Sequence, residues 1–165
     1  MEYSLLPLAA LLHVIDEYFF PGGFVDAMSE VSPRFGGLVT PAFAVIINGL
    51  FVLLCCVAAA SGRKRRFFGQ TVLGLTLANS VAHVGGTIRL RRYNPGLATA
   101  VLLYVPLALS GYRRALASGE STPVEVAGSI AVGASYHAVP LVSLLVLDRM
   151  ERRNVDKVMA RLRRG

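Results

Sequence analysis

The chain has 165 residues, 54% hydrophobic and 16% charged, with a mean hydropathy of +0.55 and a formal net charge of +7. A soluble domain is about a quarter charged, and Cys55 and Cys56, being adjacent, are poorly placed to bridge. A water-soluble globule, a disordered chain and a disulfide framework are therefore excluded.

The charges are missing in blocks. Arg34 to Arg63 encloses 28 uncharged residues, Arg66 to Arg89 encloses 22, Arg92 to Arg113 encloses 20 and Glu125 to Asp148 encloses 22. Roughly 20 apolar residues cross a ~30 Å hydrocarbon layer. The pattern predicts an all-α, polytopic membrane helix bundle of about five transmembrane helices, near residues 3–20, 38–60, 67–88, 97–117 and 123–147. Residues 1–147 make the bundle and residues 148–165 a basic tail.

The first helix has an uncharged run of only 13 residues between Glu2 and Asp16, so it crosses only with Asp16 and Glu17 at or inside the boundary. Its acidic start and bulky Tyr18, Phe19 and Phe20 favour a retained helix over a cleaved signal peptide. Residues 21–37 read as a loop with at most a short turn of helix, and Arg63 to Arg66 as a tight basic turn. Pro41 and Pro123 fall near helix starts, where a missing N–H is harmless. Pro106 and Pro140 fall mid-span as tolerated kinks. Asn94-Pro95-Gly96 reads as a helix opening, with Asn94 at the N-cap and Pro95 at N1. Gly74, Ala78, Ala82 and Gly86 form a small-residue stripe that Gly128, Ala131, Gly133 and Ala134 could meet closely in lipid. Glu125 reads as a first-turn carboxylate favoured by the helix dipole. In the tail, Val155, Val158, Met159 and Leu162 recur at helical spacing, suiting either an amphipathic helix on anionic lipid or a solvated end.

Ionisable groups within a bilayer are costly, so each is a functional candidate. His13, Asp16 and Glu17 stand at i, i+3 and i+4, Asn79 and His83 at i and i+4, and Tyr136 and His137 interrupt a small, apolar stretch. At ~1.5 Å per residue, Glu17 lies about 5 Å, His83 about 8 Å, His13 about 10 Å and His137 about 15 Å from one shared end of the bundle. Three imidazoles and two carboxylates in one half of the membrane suit zinc or non-haem iron. The expected metal ligands are His13, Glu17, His83, His137 and Asp16, with Asn79 and Tyr136 as partners orienting an imidazole. Glu17 or Asp16 could alternatively act as a general base. Arg89, Arg92 and Asn94, opening on the same side, could hold a substrate anion, with topology and lipid-headgroup anchoring the favoured account of the arginines.

His13-Val14-Ile15-Asp16-Glu17, followed by Asn79-x-x-x-His83 and the Arg-rich segment ending Tyr93-Asn94-Pro95-Gly96, resembles the HXXEE-motif family of small bacterial integral membrane proteins. The resemblance spans roughly residues 8 to 110 and departs at Asp16, where the family pattern has Glu. It implies a bacterial inner-membrane location and no assigned activity.

The expected function is a metal-dependent enzyme, hydrolase or oxidoreductase, acting on a hydrophobic or lipid-like substrate. A proton- or metal-coupled transporter and a scaffold whose polar cluster only fixes packing are the alternatives. Membrane lipids are the expected partners and nucleic acid is not, because the positive charge sits where anchoring and topology require it; assembly, a homo-oligomer included, stays open. Basic residues number eleven at the end carrying the polar groups and the carboxyl terminus, against six at the other, which places that end in the cytoplasm.

Overall fold

The computed structural model describes residues 3–19, 23–31 and 35–162. It is helical, with no strand among the described residues: α1 (Leu6–Phe19), α2 (Gly23–Val31), α3 (Pro41–Ser61), a 3-10 turn (Gly62–Arg65), α4 (Arg66–Leu90), α5 (Leu97–Thr99), a π-helical turn (Ala100–Tyr104), α6 (Val105–Ala117) and α7 (Pro123–Leu162). Helix starts follow local chemistry. Thr40 caps α3 by accepting the Phe43 N–H, with Pro41 at the first position. Thr122 and Glu125 form a reciprocal box at the start of α7: the Glu125 carboxylate accepts the Thr122 N–H at 2.8 Å, and the Thr122 hydroxyl accepts the Glu125 N–H at 3.2 Å.

Polarity is distributed inside out. Leu102, Val81 and Ile88 are 70–72% exposed, as are Leu8, Leu11 and Ile15 on α1 and Ile46 and Leu53 on α3 to lesser degrees, while His13, Glu17 and His83 are at most 2% exposed. An apolar surface of this extent needs a partner other than water. Two stretches are long and apolar enough to cross a membrane: Pro41–Leu90, which contains both α3 and α4, at mean hydropathy 2.6, and Pro123–Arg153 at 1.9. The pair α1 and α2, bent by 73°, makes a third if taken as one span.

Five spans are therefore not reached by length and composition. Helix α1, at 14 residues, covers about 21 Å, and the 97–117 segment is broken by its π-turn and ends on Arg113 and Arg114. The expected loop at 21–37 contains a nine-residue helix, α2, whose Phe24, Val25, Ala27, Met28 and Val31 supply the apolar content. Gly96 in the left-handed region, φ +88°, occupies the N-cap of α5, not Asn94, whose side chain is turned inward. Pro106 has no N–H to offer Leu102, and the chain answers with the wider π-turn just before it. No break separates the last span from the tail, since α7 runs unbroken from Pro123 to Leu162 through Pro140. The side chains of the amphipathic stripe Val155, Val158, Met159 and Leu162 lie outside the described residues, as do Phe20 and Arg34.

The chain reverses at Gly62–Arg65, because Asn48 on α3 and His83 on α4 both reach Glu17 on α1. Helices α4 and α7 run parallel and nearly touch. A Cβ on Gly74 would lie 2.8 Å from the Ile130 Cα and the Ser129 carbonyl, and one on Gly133 would strike the backbone of Thr71, Gly74 and Leu75. The expected small-residue contact is thus present at Gly74 and Gly133, whereas Gly86 faces Asn94. Away from the polar cluster, Gln70 donates to Ser121 at 2.7 Å and Tyr112 donates to the Gln70 carbonyl at 2.7 Å, tying α4 to α6 and to the start of α7. These locks set the rotation of α4, and hence the direction of His83.

Candidate metal centre

Helix α1 supplies two of the three central groups. One turn separates His13 from Glu17, so both project from one face, while Leu8, Leu11, Leu12 and Ile15 face outward. Helix α4 supplies His83 opposite them. The Nε2 atoms of His13 and His83 lie 3.4 and 3.3 Å from Glu17 Oε1, and one ligand atom from each of the three residues falls within 4.8 Å of the others. The imidazoles meet edge to face, with centroids 4.8 Å apart and an interplanar angle of 80°.

Both Nε2 atoms are buried and make no hydrogen bond, although each stands within ion-pair distance of Glu17 Oε1. The spacing has another fit. Donors bound to zinc at 2.0–2.1 Å in a tetrahedron stand about 3.3–3.4 Å apart. Two imidazoles and one carboxylate, all buried, are also a donor set that zinc and iron accept.

Each ligand is held from behind. Asn48 Nδ2 donates to Glu17 Oε2 at 2.8 Å, leaving Oε1 for the shared point. His13 Nδ1 lies 2.9 Å from Thr99 Oγ1. Asn94 Nδ2 lies 3.2 Å from His83 Nδ1 and donates to the His83 carbonyl at 3.3 Å. With the amide nitrogen facing Nδ1, His83 keeps its proton on Nε2; a metal there requires the Asn94 amide to turn and present its oxygen. Gly86 and Gly96 make the room. A Cβ on Gly86 would lie 2.6 Å from Asn94 Nδ2, and one on Gly96 would lie 2.6 Å from His83 Cε1 and 2.8 Å from His13 Cε1.

Asp16 does not join the three. Tyr93 donates to its Oδ1 at 2.7 Å, and the Thr99 N–H and hydroxyl donate to its Oδ2 at 3.1 and 2.8 Å. Burial, with this carboxylate alongside, pushes the Tyr93 phenol above its ordinary value, so it remains a donor. His137 is half-buried on α7, makes no hydrogen bond to a described residue and lies outside the group. Asn79 Oδ1 is buried without a partner, and Tyr136 is 47% exposed. Arg89 donates to the Val31 carbonyl at 2.6 Å and Arg92 to Glu30 at 2.5 Å, so the end of α4 and the segment that follows it are fastened to α2.

Asn48, Thr99 and Tyr104 have structural parts here that sequence patterning did not single out, and Gly96, read only as part of a helix opening, lies against both ligand histidines. Asn48 carries a usable signal, being the one amide in the apolar run of α3. Tyr104, fully buried with its hydroxyl unpartnered, stacks 4.6 Å from the His13 ring. Thr99 carries none, because its value lies in where the α4–α5 connection turns back over the site.

Neither a curated protein nor a solved structure matches the chain. A family model described as protein of unknown function with HXXEE motif matches residues 4–110, which include His13, Glu17 and His83 and the loop that covers them. The chain belongs to this HXXEE family.

Proposed function

We propose that the protein is a membrane-embedded metalloprotein whose centre, held by His13, Glu17 and His83, acts on a hydrophobic or lipid-like substrate. The observation that carries the reading is the pair of unpartnered Nε2 atoms converging on one carboxylate oxygen at tetrahedral edge lengths. Three protein donors are the number that catalytic zinc sites use, leaving a position open. When bound, such a metal supplies Lewis acidity and an activated water, or oxygen chemistry if it is iron. The chain's own contribution is to orient the donors: Asn48 aims Glu17, Thr99 aims His13 and Asn94 holds His83. Both Asp16 oxygens are already bonded, so Asp16 is a positioning group in this reading and not the general base.

The membrane setting rests on the outward apolar surface and the inward polar groups. In this reading α1, α3, α4, the 97–117 segment and α7 are five spans, and α2 lies along the boundary at the end nearer the site. Arg89 and Arg92 serve anchoring there, and positive-inside counting assigns that end to the cytoplasm of a bacterial inner membrane.

Metal analysis of protein purified in detergent tests the centre. About one zinc or iron per chain is expected, falling at least tenfold in His13→Ala, Glu17→Gln and His83→Ala, in line with loss of a ligand or its hydrogen-bonded support. Trace metal that these substitutions leave unchanged overturns it.

A further inference from the structure

Thr99 Oγ1 sits among three polar atoms: Asp16 Oδ2 at 2.8 Å, His13 Nδ1 at 2.9 Å and the Gly96 carbonyl at 3.1 Å. A hydroxyl has one proton to give and two lone pairs to receive. A carboxylate and a carbonyl can only accept, and the nearer, charged oxygen is the stronger acceptor. The Thr99 proton therefore goes to Asp16. That assignment leaves the 2.9 Å contact with His13 Nδ1 only one favourable form, in which the imidazole donates, since otherwise two lone pairs would face each other.

We infer that Asp16 and Thr99 are positioning residues that fix His13 in its Nδ1–H tautomer and so keep its Nε2 lone pair free to bind a metal. The part concerning metal affinity rests on the centre proposed above; the tautomer does not.

The relation also accounts for both acids of the motif. From His13, the residue at i+4 reaches the same point in space, and Glu17 meets His13 there. The residue at i+3 is offset around the helix and meets a different element, the first turn of α5, where Asp16 also accepts the Thr99 N–H. One acid binds beside the histidine and the other sets which nitrogen of the histidine carries the proton. An aspartate suffices for the second task, because Thr99 and Tyr93 both come to it. Left without a cation, the arrangement holds the His13 Nε2 lone pair 3.4 Å from a carboxylate oxygen in a buried site, a costly juxtaposition that a metal resolves.

Nitrogen-15 NMR of histidine-labelled, metal-free protein in detergent, above neutral pH, reads the tautomer directly. The protein has three histidines, and His13→Gln identifies the signal. The expected result is a protonated Nδ1 in the native chain and in Thr99→Ser, and loss of that preference in the near-isosteric Thr99→Val. A native His13 carrying its proton on Nε2 overturns the inference, and that outcome needs no variant to fold. Zinc titration of the same proteins should show affinity lower by about 10–100-fold in Thr99→Val and restored in Thr99→Ser. Equal affinity in Thr99→Val also overturns it. If the native protein shows the Nδ1–H tautomer but takes up no zinc, the metal centre falls and the tautomer assignment stands.

Discussion

Gly96 shows how much of the centre depends on a side chain that is absent. Its φ of +88° suits glycine, and its Cα hydrogen faces the ring carbons of both ligand histidines. Gly96→Ala adds a methyl group at 2.6–2.8 Å from those rings in a backbone region that costs an L residue about 1–2 kcal/mol. We expect it to weaken metal binding by roughly tenfold or more, through displaced imidazoles, and to lower the melting temperature in detergent. Metal titration and a thermal melt check both. Native-like metal affinity in Gly96→Ala would mean that the loop does not rest on the histidines.

At the scale of elements, the closest joint is between α4 and α7. Hydrophobic driving force is absent between helices in lipid, so close van der Waals packing has to take its place. Gly133 provides it by letting α7 lie directly on the Thr71–Leu75 backbone. Gly133→Leu must push the helices apart, and overpacking of this kind costs about 1–3 kcal/mol. The thermal melt should fall clearly. Metal affinity should fall with it, because α4 carries His83 and α7 sets how α4 is seated. The exposed Arg92–Glu30 pair is a different case, since such a bridge is worth about 0–1 kcal/mol. The π-turn before Pro106 belongs to this scale as well. It shifts the register of the segment between Thr99, which touches His13, and Tyr104, which stacks on it.

For the whole molecule, the parallel register of α4 and α7 places Leu90 about level with Asp148, taking Gly133 beside Leu75 as reference. The 14 residues from Arg149 to Leu162 then carry α7 about 20 Å past the end of α4, beginning where the charged residues begin. If the five-span reading proposed above holds, the two termini lie on opposite sides of the membrane. Cysteine labelling at Glu2 and at Glu151, in a background with Cys55 and Cys56 replaced by alanine, should therefore respond to an impermeant reagent from opposite faces. Labelling of both from one face would require an even number of spans and would reassign either α1 or the 97–117 segment.

Uncharged runs disclosed the long apolar helices but not α2, which lies in the segment read as a loop, because the cost of carrying charge through an apolar layer leaves a mark that needs no partner to be read. Spacing likewise showed that His13 and Glu17 share a face, as i and i+4 do on any helix. His83 and His137 were both legible as candidate ligands, His137 nearly twice as deep by residue count and outside the motifs that carry the family resemblance, and only His83 joins the cluster. That separation came from how α4 is rotated by Gln70, Gly74 and Gly133 against its neighbours. The division between Asp16 and Glu17, the recruitment of Asn48 and Thr99, and the turning inward of Asn94 were likewise settled by tertiary contacts. Which partner a polar side chain finds depends on residues up to 86 positions away in the chain, as with His13 and Thr99, and only the packed bundle brings those positions together.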